Sequence, residues 1–195
     1  MTLSYILQFI GIVILAAPSY ILVRWLVLRH KKRLQQAFPV SVGRELCLGL
    51  FFLYVVGLFM MALVLGAEYA SPAVVLQRVA ERIHTGEGIN LVPSRTISSF
   101  AKRAFFRDFF MVNIVGNIIM FVPWGFGLVL LWKKNRTVPR IFLWSAVLPL
   151  FIETWQLFVG RSVDVDDFIL NFAGSAIGGL VCLGWMRRRE RKKQG

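Results

Sequence analysis

The chain has 195 residues, of which 57% are hydrophobic and 14% aromatic, with a mean hydropathy of +0.65 and a formal net charge of +13. A water-soluble domain of this length buries only a limited fraction of its surface, so this composition excludes an ordinary soluble fold. The basic residues stand in blocks between apolar runs, and there is no glycine-rich phosphate loop, zinc-type Cys/His spacing or RNA-binding motif. These features argue against a nucleic-acid partner and make membrane lipid the expected surroundings.

Five apolar runs follow one another along the chain, at residues 3–23, 46–67, 109–132, 141–159 and 168–186. Each is close to the roughly 20 residues that a helix needs to cross the hydrocarbon core. The first run has no charge before it and a basic cluster after it, which predicts a retained anchor and not a cleaved signal peptide. The sequence therefore predicts an all-α, polytopic transmembrane bundle of about five spans.

Basic residues are distributed unevenly between the two sides of these spans. Residues 24–45, 133–140 and 187–195 together hold 16 Lys and Arg against two acidic residues, whereas the rest of the chain holds seven against eight. The positive-inside rule makes the first set cytoplasmic. We therefore expect a multi-pass protein of the cytoplasmic membrane, with the N-terminus outside and the C-terminus in the cytoplasm.

The chain divides into three parts on this basis. They are two N-terminal spans with a basic cytoplasmic loop (1–70), an outer loop with three further spans (71–186) and a basic cytoplasmic tail (187–195). In the outer loop, Ser71-Pro72 predicts the start of a helix that runs to about Ile83 and is broken by residues 85–88. Residues 97–107 have helical apolar spacing. They form either a helix in the outer membrane interface or one packed on the bundle.

Polar side chains recur inside the last three spans, at the end of each span that is predicted to face out. The candidates are Asn113 and Asn117 in the third span, Glu153 and Gln156 in the fourth, Arg161 in the connecting loop, and Asp164, Asp166, Asp167 and Asn171 at the start of the fifth. Interhelical hydrogen bonding is the simplest explanation for each carboxamide alone. A carboxylate such as Glu153 inside an apolar helix needs a partner or a cavity, and Arg161 is the natural partner. We interpret the set as a functional polar pocket in the outer leaflet.

Three chemistries suit such a pocket, and the spacing does not decide between them. The carboxylates can hold a divalent cation, or Glu153 and Asp167 can act as acid and base. Alternatively, Arg161 and Arg95 can bind a phosphate or carboxylate head group. The sequence thus leaves any cofactor or metal unidentified. In the inner half of the fifth span, Gly174 and Gly178 form a GxxxG pair that predicts close helix contact.

Four linked motifs in the second half of the chain resemble the VanZ-like family, which is named for a teicoplanin-resistance protein. They lie at residues 90–93 (NLVP), 113–125 (NIVGNIIMFVPWG), 153–156 (ETWQ) and 161–167 (RSVDVDD), the last continuing to Asn171 and Gly174. The resemblance covers about residues 89–180, and Ser94 stands where the family tends to have an aromatic residue. It adds Asn90 to the candidate site.

The resemblance implies a bacterial membrane protein linked to lipoglycopeptide tolerance at the outer face of the membrane. The leading hypothesis is a pocket that binds or modifies an amphiphilic envelope molecule with an acidic head group. One rival is a membrane hydrolase or transferase that acts on a lipid-linked substrate, and the other is a structural or partner-binding protein. A cavity that the carboxylates share favours the first two, whereas fully satisfied carboxylates without a cavity favour the third.

Overall fold

The computed structural model describes residues 2–33, 41–61, 71–94 and 107–194. Within these ranges the side chains of residues 2–10, 12–13, 31–32, 107–113 and 194 lie outside the description. The chain forms two compact units, residues 1–61 and 62–195.

The first unit consists of two helices, α1 (Thr2–Arg33) and α2 (Val42–Phe59). The Arg24 guanidinium on α1 forms a salt bridge with the Glu45 carboxylate on α2, in which Nη2 donates to Oε1 over 2.6 Å. The Tyr20 and Phe52 rings pack below this pair with their centroids 5.2 Å apart. The helix α1 continues past the predicted end of the first span, because Arg and Lys are good helix formers and do not end a helix.

The second unit is also mainly helical. In chain order its elements are α3 (Pro72–Thr85), β1 (Ile89–Asn90), α4 (Arg107–Leu131), a 3-10 turn (Lys133–Asn135), α5 (Val138–Phe158), β2 (Val163–Asp164) and α6 (Val165–Gln194). The predicted limits of α3 are confirmed: Ser71 is the extended residue before Pro72, and Gly86 ends the helix with a φ of 73°. The predicted helix at 97–107 lies almost wholly outside the described residues.

The last helix is longer than its apolar run predicts. It begins at Val165 instead of Phe168 and continues past Met186 to Gln194. Asp166 and Asp167 occupy its first turn and basic residues its last, where each sign of charge is favoured by the helix dipole. Hydropathy alone underestimated both ends, since charge does not interrupt a helix.

The glycines of the predicted GxxxG pair bring α4 and α6 into backbone contact. A Cβ added to Gly174 would lie 2.1 Å from the carbonyl oxygen of Ile118, and one added to Gly178 would lie 2.0 Å from that of Val122. The predicted close contact is confirmed. Gly174 meets Ile118, and Gly178, four residues later on α6, meets Val122, four residues later on α4. The two helices therefore run parallel.

The connecting helix α5 packs against α6 in the opposite direction. Ser175 Oγ donates to Ser145 Oγ over 2.8 Å in the middle of the contact. Toward the far end of α6, buried Val129, Ile141, Cys182 and Leu183 form one apolar cluster. The parallel helices α4 and α6 therefore pack directly on each other, and α5 runs antiparallel to both.

Four helices of the described part are long and apolar enough to cross a membrane. They are Val42–Phe59, Ile114–Leu131, Val138–Phe158 and the apolar part of Val165–Lys193. Many of their large apolar side chains are exposed on the isolated chain, as expected for surfaces that lipid covers. The predicted all-α membrane bundle is confirmed. About half of the first predicted span, residues 3–23, has side chains outside the description.

Candidate functional site

A small parallel sheet lies at the end of the second unit where α5 finishes and α6 begins. We call this end of the unit the polar end. Ile89 pairs with Val163 and Asn90 with Asp164. The backbone N–H of Val163 also donates to the carbonyl of Gly88 over 2.8 Å. This pairing brings Asn90 beside Asp164, whose Oδ1 accepts a 2.9 Å hydrogen bond from Asn90 Nδ2.

Asp164 and Asp166 begin α6 and tie it to the loop that follows β1. Asp164 precedes the first helical residue, and its Oδ1 accepts from the backbone N–H of Asp166 over 2.9 Å, as the side chain of an N-cap does. The Asp166 carboxylate, only 2% exposed, accepts from the backbone N–H of Ser94 over 2.6 Å. Ser94 has a positive φ of 65°, so this contact holds an unusual backbone conformation.

Glu153 connects α5 to the same segment. Its side chain is 5% exposed, and Oε2 accepts from the backbone N–H of Asp164 over 3.1 Å. A buried carboxylate normally needs such donors. Glu153 therefore helps to fix where β2 passes into α6.

Asp167 faces α4 from the first turn of α6. Its Oδ1 accepts from Asn117 Nδ2 over 2.8 Å. With Glu153, Asp164 and Asp166 it forms what we call the carboxylate cluster. Four carboxylates supplied by two segments thus meet at the polar end, contacted by groups from β1, the following loop and α4.

Arg161 lies within electrostatic range of both Glu153 and Asp167. Arg161 is positioned by its own backbone, whose N–H donates to the carbonyl of Gln156 over 3.0 Å. The side chain of Gln156 is buried at the end of α5. The predicted partnership of Arg161 with Glu153 remains a prediction.

Asn171, one helical turn after Asp167, carries an unpaired polar atom. The side chain is 5% exposed, and its Oδ1 has no hydrogen-bond partner among the described residues. Buried acceptors are almost always paired, because an unpaired one costs about 1–3 kcal/mol. The position is therefore suited to a donor from outside the described protein atoms.

Arg82, which the sequence analysis did not single out, holds the polar end together. Its guanidinium donates to four backbone carbonyls, those of Glu87, Gly88, Leu157 and Arg161, over 2.7 to 3.2 Å. It thereby links α3, the turn after it, the end of α5 and the loop before β2. No local signal marks it, because two of its four acceptors, the carbonyls of Leu157 and Arg161, lie more than 70 residues away in the sequence.

The structure brings together most of the predicted site residues. Hydrogen bonds at the polar end involve six of them: Asn90, Asn117, Glu153, Asp164, Asp166 and Asp167. Arg161 lies within electrostatic range of Glu153. Gln156 and Asn171 are buried, and they follow Glu153 and Asp167 by about one helical turn. Arg95 and the side chain of Asn113 fall outside the described residues. A cavity of about 360 Å³ opens at the polar end, but it is lined by residues of α3, by Glu87 and Gly88 of the turn after it, and by Leu157, Phe158, Gly160 and Ser162. None of the predicted site residues that the structure describes lines it.

The cluster is arranged for hydrogen bonding and not for metal coordination. In the four described ranges, no group of three or more His, Cys, Asp or Glu side chains is placed to hold a metal ion. A site for Ca²⁺ or Mg²⁺ needs several oxygen ligands that converge on one point. The described carboxylates instead accept from backbone and carboxamide N–H groups.

Comparison with known proteins places the chain in a family. The family model VanZ/LLP1 matches residues 51–187, which include α3 to α5, most of α6 and every candidate site residue. No curated protein and no solved structure matches the chain significantly. Since the match covers well over half of the sequence, the chain is a membrane protein that belongs to the VanZ-like family.

Proposed function

We propose that the polar end faces outward from a bacterial cytoplasmic membrane and binds or modifies an amphiphilic cell-envelope molecule with an acidic head group. Through this activity the protein contributes to tolerance of lipoglycopeptides such as teicoplanin. The observation that carries the proposal is the convergence of the carboxylate cluster and Arg161 at one end of a membrane-spanning unit. Charged groups within a membrane are costly and are kept mainly where they act on a ligand or in transport.

The chemistry of the site supports a ligand that offers both a negative charge and hydrogen-bond donors. Arg161 and Arg95 are the proposed partners of the acidic group. Asn171 Oδ1 is a buried acceptor without a hydrogen-bond partner among the described residues. A hydroxyl or amine group of the ligand would satisfy this acceptor.

A membrane hydrolase or transferase is the second candidate. Glu153 lies on α5 and Asp167 on α6, and Glu153 contacts the backbone of Asp164, three residues before Asp167. A pair of carboxylates in mutual range is what acid and base catalysis requires. Mass spectrometry of envelope lipids incubated with the purified protein distinguishes the candidates, because an enzyme converts substrate whereas a binding protein leaves it unchanged.

Glu153→Gln tests the proposal. Glutamine keeps the shape and can still accept from the backbone of Asp164, but it removes the negative charge. We expect the variant to reach the membrane at normal abundance and to lose lipoglycopeptide tolerance in a susceptible host. Glu190→Gln, at an exposed position near the end of α6, is the matched control and should retain tolerance.

Membrane abundance has to be measured in parallel with tolerance. If Glu153→Gln is as abundant and as tolerant as the wild type, Glu153 has no part in the site. In that case the hypothesis that the polar residues serve only to hold the helices together is preferred, since replacing a buried charge by a neutral group is often harmless or stabilising.

A further inference from the structure

The cavity at the polar end has a wall that continues onto a lipid-facing aromatic row. Phe158 lines the cavity, and Trp155 and Phe151 follow it along α5 at spacings that place all three on one face. The ring centroids are 6.3 Å and 6.0 Å apart in turn. The three side chains are 40%, 44% and 45% exposed, so the row is open along its length.

The rim of the same cavity carries charges of both signs. Arg78, Glu81 and Glu87 are exposed, and Arg82 is half-buried. Four N–H groups of Arg82 are directed at backbone carbonyls, so its role is to hold the wall in place. Two guanidinium groups and two carboxylates give a rim without net charge, unlike the carboxylate cluster.

We propose that this cavity is a binding site for the head group of a zwitterionic phospholipid, whose acyl chain lies along Phe151, Trp155 and Phe158. The exposed guanidinium of Arg78 matches the phosphate, and the carboxylates of Glu81 and Glu87 match the ammonium group. The acyl chain gains contact with aromatic surface that faces lipid in any case. The volume of about 360 Å³ is in the range of small-molecule pockets.

The depth of the row in the bilayer agrees with this assignment. Tryptophan side chains concentrate at the level of lipid head groups, where one part of the ring is wet and the other apolar. Trp155 lies one turn before the end of α5, and the cavity lies beyond it. Head group and chain of one lipid would therefore reach the cavity and the row together. The inference goes beyond the proposed function, because none of the proposed cluster residues lines this cavity.

Quenching of Trp155 by brominated lipids tests the proposal. In a variant that retains Trp155 while the other five tryptophans are replaced by phenylalanine, bromine on an acyl chain quenches only where that chain contacts the row. Bilayers that mix brominated phosphatidylethanolamine with ordinary phosphatidylglycerol, and the reverse mixture, give the relative affinity of the two lipids. We expect the zwitterionic lipid to be preferred at least threefold.

The decisive comparison adds Glu81→Gln and Glu87→Gln, which leave the rim with a net positive charge. The preference should then turn toward the anionic phosphatidylglycerol, whereas Gln77→Ala on the exposed side of α3 should change nothing. Equal affinity in the parent, a preference for the anionic lipid there, or a preference that the double variant leaves unaltered would each overturn the proposal. If the single-tryptophan variant does not fold, native mass spectrometry of wild type and Glu81→Gln/Glu87→Gln with the two lipids measures the same preference.

Discussion

Asn117 on α4 donates from Nδ2 to Oδ1 of Asp167, in the first turn of α6, over 2.8 Å. Further along, the same two helices meet at Gly174 and Gly178, where their backbones touch. The interface between α4 and α6 therefore has a polar hydrogen bond near the start of α6 and close glycine contacts further along. The position of Asp167 is set by the packing of the whole helix pair and not by its own loop alone.

The Asn117–Asp167 hydrogen bond should be measurable as a coupling energy. We expect a double-mutant cycle of Asn117→Ala and Asp167→Ala to give about 1–2 kcal/mol, since bonds to charged groups are stronger than average but bonds within membranes are modest. The free energy of unfolding in mixed micelles supplies the values. Thr154→Ala is the control partner for Asn117→Ala, because the Thr154 hydroxyl bonds only within its own helix, to Leu150. That pair should be additive to within about 0.5 kcal/mol, and a similar coupling in both cycles would contradict the described contact.

Gly174→Ala should destabilise the second unit, because the new Cβ meets the backbone of Ile118, which has no side-chain freedom with which to give way. Overpacking of this kind costs about 1–3 kcal/mol. Gly184→Ala is the matched control on the same helix, since nothing lies within 4 Å of its added Cβ. The control should be neutral or slightly stabilising, as alanine is a better helix former. Thermal unfolding in detergent gives both values, and equal effects of the two variants would rule out the close contact.

Arg82→Lys should loosen the polar end without changing its charge. A lysine ammonium has three donors on a flexible stem and cannot reproduce a planar fork that reaches four carbonyls. Hydrogen exchange read by mass spectrometry should therefore rise at residues 86–90 and 160–164, where Val163 N–H bonds to Gly88. Arg78→Lys, one turn earlier on the exposed side of α3, is the control and should leave exchange in both segments unchanged. If Arg82→Lys leaves hydrogen exchange in both segments unchanged, Arg82 does not hold the polar end together.

The orientation predicted from charge can be checked inside the second unit. In a background with Cys47→Ser and Cys182→Ala, cysteine at Ser162 should react with an impermeant thiol reagent in intact cells, because the polar end is predicted to face out. Cysteine at Thr137, in the basic loop before α5, should react only after permeabilisation. The reverse pattern would place the polar end in the cytoplasm and end the proposed role at the cell surface.

Local pattern in the sequence was sufficient for the parts of the molecule that depend on short-range chemistry. Apolar length predicts the spans of α2, α4, α5 and α6, and Ser71-Pro72 with Gly86 defines α3. The Gly174 and Gly178 spacing predicts their close contact. The same periodicity identified the polar residues that belong together, because residues three or four apart share a helix face whatever the rest of the chain does.

Only the tertiary structure decided how those residues are partnered. The β1–β2 pairing brings the side chain of Asn90 to Asp164. Glu153 accepts a hydrogen bond from the backbone N–H of Asp164 and not from a side chain. Arg82 on α3 donates to a carbonyl at the end of α5. Each contact joins positions that the sequence separates by 11 to 75 residues. The contacts of Arg82 and Asn90 depend on how α3 and β1 reach the end of α5, and that of Glu153 depends on the turn between α5 and β2. No local propensity encodes these paths. The sequence by itself therefore determined which groups the polar end contains, and the packing of the helices decided what each one touches.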